Sequence, residues 1–244
     1  MTTPKAQQLY ETVEGTWPPA KTFDLGPWTI RDGAGGGKRV SAATVNHALT
    51  KEDIPPAEQA MVKLNQPPLF MIRPGDEALD AELQARGYRV IDPVSLYSCP
   101  VQTLLDTTAG PTTSVDIWPP LEIMKNIWET GGIGPARLAV MHRAKGPKTA
   151  ILERTMDSAA GCAYVAIHNG IAMIHSVEVL PDFRRQGIGT KLLRSAALWA
   201  KQKNAQRFAL AVVDANKPAN SLYVGLGMAV AGRYHYRIRD EKSI

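Results

Sequence analysis

The run Arg184-Arg185-Gln186-Gly187-Ile188-Gly189 holds the residue types that bind an anionic phosphate. An apolar segment ending in Val177-Glu178-Val179-Leu180-Pro181 precedes it, and Thr190 to Lys203 follows with the spacing of an amphipathic helix. Glycines let a backbone approach a ligand with no Cβ in the way. A turn feeding a helix N-terminus presents aligned N–H donors and partial positive charge. Arg184 and Arg185 add formal charge at the same place. The spacing is not that of a dinucleotide fingerprint, because Leu192 stands where the third glycine belongs, and no Gly-Lys-Ser/Thr of a Walker A loop follows.

A second block lies downstream. Phe208 to Val213 is an apolar run of strand length. Asn216-Lys217-Pro218-Ala219-Asn220-Ser221-Leu222-Tyr223 and then Gly225-Leu226-Gly227-Met228 come next. Together the two blocks resemble the GNAT superfamily of acyl-CoA-dependent N-acyltransferases. Val177, Val179, Pro181, Arg184, Gly187 and Gly189 match its pyrophosphate loop. Asn216, Ala219 and Tyr223 match its N-x-x-A-x-x-x-Y segment, and Met228 replaces the usual Phe of Leu-Gly-Phe. The likeness covers residues 115 to 240.

The resemblance implies an α/β (α+β) fold, with a mixed, mostly antiparallel central sheet flanked by helices. It implies that the fourth and fifth strands splay and admit acetyl-CoA between them. The pantetheine amides would pair with the backbone of Val177 and Val179. The pyrophosphate would rest on the amides of Arg185, Gln186, Gly187, Ile188, Gly189 and Thr190, beside Arg184. Asn216 would touch the cofactor arm. Tyr223 would be the general acid for the departing thiolate, since a phenol keeps its proton at neutral pH. The acceptor, a small-molecule or protein primary amine, would attack the thioester directly, leaving Cys162 a structural residue. No metal is implied.

The base is open. Many relatives use a carboxylate on the fourth strand, but Met173 and Ile174 occupy its first half here. Strict alternation puts His175 on the face of Val177 and Glu178 on the opposite face. Glu178, His175 and a water chain all remain candidates, and His175 reads equally as a core histidine. The missing base keeps a second function in view, a non-catalytic acyl-CoA binding or sensing module.

These residues need a frame to hold them. Val115 to Trp118 reads as a first strand and Leu121 to Glu129 as a helix stopped by Gly131-Gly132. Ala136–Met141, Thr149–Arg154, Cys162–Ala166 and Ala172–Val179 read as strands. Thr107 to Ser114 is polar and reads as a linker. The expected division is therefore residues 1–106, a linker at 107–114, and an acyltransferase domain at 115–244.

The first half echoes the second. Trp17-Pro18-Pro19 recurs as Trp118-Pro119-Pro120, 101 residues on, and the helix, Gly-Tyr and strand of Ala81 to Tyr97 recur 140 residues on. These echoes suggest a tandem chain with a truncated GNAT-like first half. No R-x-x-G-x-G occurs before residue 115, so that half should not bind CoA. Gly33-Ala34-Gly35-Gly36-Gly37-Lys38-Arg39 has the wrong spacing for a Walker A loop, and reads as a flexible turn before a strand at Lys38–Val45. Such a turn can border an acceptor cleft.

Composition narrows the class. The chain has 244 residues, 44% hydrophobic, and a net charge of +5. Its excess cations cluster around the glycine loop, where an acidic cofactor accounts for them, and no basic stretch interleaves aromatics as a nucleic-acid platform would. Two distant cysteines make no disulfide framework. There is no secretory h-region and no apolar run of about 20 residues. A cytoplasmic monomer or homodimer is expected, without membrane or nucleic-acid partners.

Overall fold

The computed structural model describes residues 4–105, 114–155 and 158–239. Residues 107–113 of the expected linker lie outside them. The first half runs α1 (Ala6–Thr16), β1 (Lys21–Leu25), β2 (Trp28–Asp32), α2 (Lys38–Ser41), β3 (Thr44–Val45), α3 (Ile54–Lys63), β4 (Leu69–Ile72), α4 (Glu77–Ala85), β5 (Arg89–Pro100) and α5 (Val101–Leu104). The second runs β6 (Val115–Ile117), α6 (Glu122–Thr130), α7 (Pro135–Arg143), β7 (Lys148–Thr155), β8 (Ser158–His168), β9 (Ile171–Val179), α8 (Ile188–Gln202), β10 (Arg207–Val213), α9 (Lys217–Gly225) and β11 (Ala229–Ile238).

Eight strands form one sheet in the order β4-β11-β5-β10-β9-β8-β7-β6. It is antiparallel except at β10–β9. This is the mixed α/β architecture expected. Both faces of its middle are covered, so β8 and the first half of β9 are apolar on both sides. Ala163, Val165, Ala172 and Ile174 face α8. Cys162, Tyr164 and Ala166 face α6 and α7. Helix α8 buries Ile188, Leu192, Leu193, Ala196, Ala197, Trp199 and Ala200, a stripe at helical spacing. Its alanines bring the helix axis close to the sheet. Burial of Leu192 and Leu193 alone contributes about 2 kcal/mol each, which anchors the helix whose N-terminus ends the glycine loop.

The two halves interlock. Strand β5, from the first half, lies between β10 and β11 of the second. The 140-residue echo is a structural correspondence. Helix α4 begins at Glu77 and α9 at Lys217, and β5 begins at Arg89 and β11 at Ala229. Tyr88 N donates to Leu83 O at 3.0 Å, and Met228 N donates to Tyr223 O at 3.1 Å. Even the cross-contacts repeat: Tyr97 Oη meets Asn220 Oδ1 at 3.0 Å, and Arg237 Nε meets Asp80 Oδ1 at 2.7 Å. A local two-fold between β5 and β11 relates them. In the first half the meander β1-β2-β3 meets β4 through the parallel bridge Ala43↔Phe70, as β9 meets β10. The Trp-Pro-Pro echo marks no such correspondence, because Trp17 closes a helix and Trp118 follows a strand.

Two expected strands differ. Residues 136–141 belong to helix α7, which starts with Pro135 at its first turn after Gly134. Proline there is pre-set for a helix, and this start signal outweighs the short apolar alternation. Lys38–Val45 is not one strand: Lys38–Ser41 is a helical turn and only Thr44–Val45 is extended. Ser41 Oγ donates to Gly37 O at 2.8 Å and ties that turn to the glycine loop. Among the described residues, no helix is long and apolar enough to cross a membrane.

Candidate active site

Strands β9 and β10 pair in parallel from Ile171↔Arg207 to Ile174↔Leu210, and there the pairing stops. Beyond that point β10 pairs with β5 as far as Val213↔Val94, and β9 pairs with β8 as far as Val179↔Gly161. The edge of β9 from His175 to Val179 that faces β10 is thus left open. The parting has a local cause. Ser176 has φ +51°, and the β8–β9 register shifts between Cys162 and Tyr164. The indole of Trp128 pins this bulge by donating to Ser176 O at 2.8 Å.

The bulge corrects the expected alternation. Tyr164 pairs with His175 and Cys162 with Glu178, and Tyr164 and Cys162 share a face. His175 and Glu178 therefore lie on one face, toward α6 and α7. Val177 and Val179 pack on the other, in the cluster that holds Ile188, Leu222 and Tyr223. A bulge adds one residue to the period, which no alternation count anticipates.

After β9, Pro181–Phe183 makes a short 3₁₀ turn and leads to the glycine loop. Arg185 (φ +62°) and Gly187 (φ +80°) are both left-handed, and Gly187 N-caps α8. The first three amides of the helix, Ile188, Gly189 and Thr190, have no intrahelical acceptor. Lys191 N is the first to reach back, to Gly187 O at 3.1 Å. The two glycines do different work. A Cβ at Gly187 would meet nothing within 4 Å, whereas one at Gly189 would come within 3.1 Å of Leu222 Cδ2. Gly189 lets α8 and α9 meet; Gly187 supplies the turn and the open approach. Arg184 folds back on β9, donating to Val179 O at 3.0 Å and to Glu178 Oε1 at 3.3 Å. Gln186 Nε2 donates to Asp182 O at 2.8 Å.

Tyr223 lies on α9, 7% exposed, with its ring 5.8 Å from that of Tyr97 on β5. Burial, with Tyr97 beside it, pushes its phenol up to about 12. Asn216 N-caps α9, its Oδ1 accepting from Ala219 N at 3.2 Å.

His175 is buried against the indole of Trp17, ring centroids 5.0 Å apart. Both ring nitrogens are engaged. Thr16 Oγ1 donates to Thr12 O at 2.6 Å, so it accepts from His175 Nε2–H at 2.8 Å. Nδ1 then accepts from Arg39 Nη1 at 3.1 Å. Burial, and then the Arg39 charge, hold the imidazole well below its ordinary 6.5. The unfolded chain takes up this proton as pH falls through 6.5 and the folded chain does not, so stability is lost toward acid. The melting temperature of the wild type is expected to fall more between pH 7 and 5 than that of His175→Gln. Parallel slopes would contradict this.

Glu178 sits against Gly131, where a Cβ would come within 2.4 Å of Oε2, a contact that glycine avoids. Cys162 is fully buried, its Sγ 3.6 Å from Met124 O, and burial, then Glu178, push the thiol far above its ordinary range. A thiol so held is no nucleophile. Cys162→Ala is expected to leave turnover within about twofold and cost about 1 kcal/mol of stability; a large fall in rate at full stability would contradict it.

At the bulge opens a cavity of about 410 Å³, lined by Trp17, Gly36, Gly37, Lys38, Arg39, Asp92, Ile133, Arg137, His175, Ser176, Val213, Tyr234 and Tyr236 among others. Sequence reasoning flagged the glycine turn at its rim but missed Arg39, Tyr234 and Tyr236. Their only signal was position, since seven separate segments converge here. The counterpart of the glycine loop in the first half, residues 46–53, has no such chemistry. Helix α3 opens Ile54-Pro55-Pro56 after Glu52 and Asp53. Prolines carry no N–H, and the carboxylates oppose an anion. Among the described residues, no group of three metal-ligating side chains comes together.

The acetyltransferase (GNAT) family matches residues 121–228. The chain is 23% identical over 244 residues to an uncharacterized N-acetyltransferase, YobR, of Bacillus subtilis, covering 96% of this chain and 98% of that one. Its fold is similar to a GCN5-related N-acetyltransferase from Kribbella flavida (TM-score 0.69, 16% identity, 97% and 96% of the two chains). It is also similar to a tandem GNAT protein from the clavulanic acid biosynthesis pathway (TM-score 0.60, 16% identity, 81% and 74%).

Proposed function

We propose that the chain is a GNAT-type N-acetyltransferase, with acetyl-CoA as the donor and a primary amine as the acceptor. The carrying observation is the parting of β9 from β10, which leaves the edge of Val177 and Val179 open and leads straight into the glycine loop at the start of α8. The pantetheine amides pair with that edge, and the pyrophosphate rests on the amides from Arg185 to Thr190, beside Arg184. Asn216 shapes this end by capping α9 and touches the cofactor arm.

In the reaction the amine nitrogen attacks the thioester carbonyl. A C–N bond forms and the C–S bond breaks. The leaving thiolate takes the proton of Tyr223 Oη, and the attacking nitrogen gives its proton to a base. Glu178 is the carboxylate on the acceptor face of β9 and takes that proton through water. His175, with both nitrogens engaged, is a positioning residue in this scheme. Residues 115–244 are the acyltransferase unit, and residues 1–106 a truncated GNAT-like half that lends β5 to the sheet and a wall to the cavity.

The test is release of free thiol from acetyl-CoA when amines are added, with the N-acetyl product identified by mass. Glu178→Gln is expected to lower the rate at neutral pH and to recover toward wild type as pH approaches the pKa of the amine. Binding of acetyl-CoA with no thiol release for any amine class would favour the sensing module instead.

A further inference from the structure

We infer that the acceptor carries a carboxylate beside its amine, and that Arg39 of the first half reads it. The inference rests on the acyltransferase reading and names the substrate class of that site. The cavity at the bulge is lined by three cations, Lys38, Arg39 and Arg137, against one carboxylate, Asp92. Asp92 is already held by Lys38 at 2.5 Å. Arg39 bonds to His175, a neutral ring. The hydroxyls of Tyr234 and Tyr236 lie against its guanidinium, yet Arg39 Nε and Tyr234 Oη are buried and neither makes a hydrogen bond of normal geometry.

An unsatisfied donor on a buried guanidinium is costly. Two other buried arginines have carboxylate partners, Arg31 with Glu14 at 2.9 Å and Arg237 with Asp80 at 2.7 Å; Arg73 Nε, Arg143 Nη2 and Arg207 Nε are also buried without a partner, but none of them lines this cavity. Glu14 lines the small recess behind Arg39, but Arg31 occupies it. A ligand carboxylate supplies what the wall lacks. It gives a charge for Arg39, a lone pair for Nε–H and an acceptor for the Tyr234 hydroxyl. The guanidinium fork suits a planar carboxylate. Thr16 and His175, which fix Nη1, hold the fork in place. The surplus cation also disfavours an ammonium nitrogen in the cavity, which lowers the pKa of the bound amine and eases loss of its proton.

The experiment is a thiol-release assay with acetyl-CoA and matched acceptors: a panel of amino acids, their carboxamides and the corresponding decarboxylated amines. For the amino acids that serve, kcat/KM is expected to exceed that of the carboxamide by at least about 30-fold, mostly through KM, the lower range for removing one partner of a desolvated charge pair. Arg39→Gln should erase this preference while titrating with acetyl-CoA as the wild type does, and Arg39→Lys should recover part of it. Equal rates for acids and amides on the wild-type chain would overturn the inference with no variant needed. So would a preference that survives Arg39→Gln. A preference for succinyl-CoA over acetyl-CoA, lost in Arg39→Gln, would mean that the guanidinium reads the acyl donor, and would also overturn it. Failure of the folded wild type to bind acetyl-CoA would be a separate result, removing the acyltransferase reading itself.

Discussion

Replacing Gly187 by Asp is expected to weaken acetyl-CoA binding by at least about 100-fold while leaving the chain folded. Three effects add. Gly187 sits at φ +80°, where a side chain is strained by roughly 1–2 kcal/mol. A Cβ there projects into open space, the direction from which a pyrophosphate approaches, so the protein tolerates the side chain better than the ligand does. The new carboxylate sets a negative charge beside a phosphate at the helix N-terminus, reversing an interaction that favours anions. Gly187→Ala separates the terms, since it keeps the strain without the charge, and is expected to lose much less affinity. Equal losses for Ala and Asp would place the effect in backbone strain alone. Calorimetric titration of the three proteins distinguishes these outcomes.

The second large effect is at Tyr223. Tyr223→Phe is expected to lower kcat by at least about 100-fold, the usual lower scale of general acid catalysis, with acetyl-CoA affinity within about threefold. The ring stays packed against Tyr97 and the α8 core, so the variant isolates the hydroxyl. The raised phenol fixes the sign of the pH dependence. With its ionisation pushed up to about 12, the acid form is full at neutral pH and is lost only as pH rises toward that value. Wild-type kcat should therefore show no alkaline fall from this group below about pH 10. An unchanged kcat in Tyr223→Phe would remove Tyr223 from the chemistry.

The glycine loop was legible because phosphate binding leaves a local mark: a strand end, a turn that needs left-handed residues, and a helix start, all within about fifteen residues. The sheet and its flanking helices followed from apolar runs and their stops. What was not legible depends on long-range pairing. Nothing local in Arg89–Pro100 says that it will lie between two strands of the other half. The bulge at Ser176 was hidden because a period of two assumes an unbroken strand, and so the shared face of His175 and Glu178 was missed. Helix α7 was misread because PARLAVMHR alternates weakly, while its Gly-Pro start carries the stronger signal. Arg39 could not be placed, since its meaning comes from His175 and Tyr234, more than a hundred residues away.

The truncated half sharpens the central claim. Residues 46–53 and the prolines opening α3 remove the donors that a second pyrophosphate site needs, although β3, α3 and β4 repeat the frame of β9, α8 and β10. The most direct test is calorimetric titration of the whole chain with acetyl-CoA. One equivalent bound per chain, at the loop ending in Gly187, is the predicted result. Two equivalents would mean that the first half kept a working site, and no binding by the folded protein would contradict the acyl-CoA account altogether.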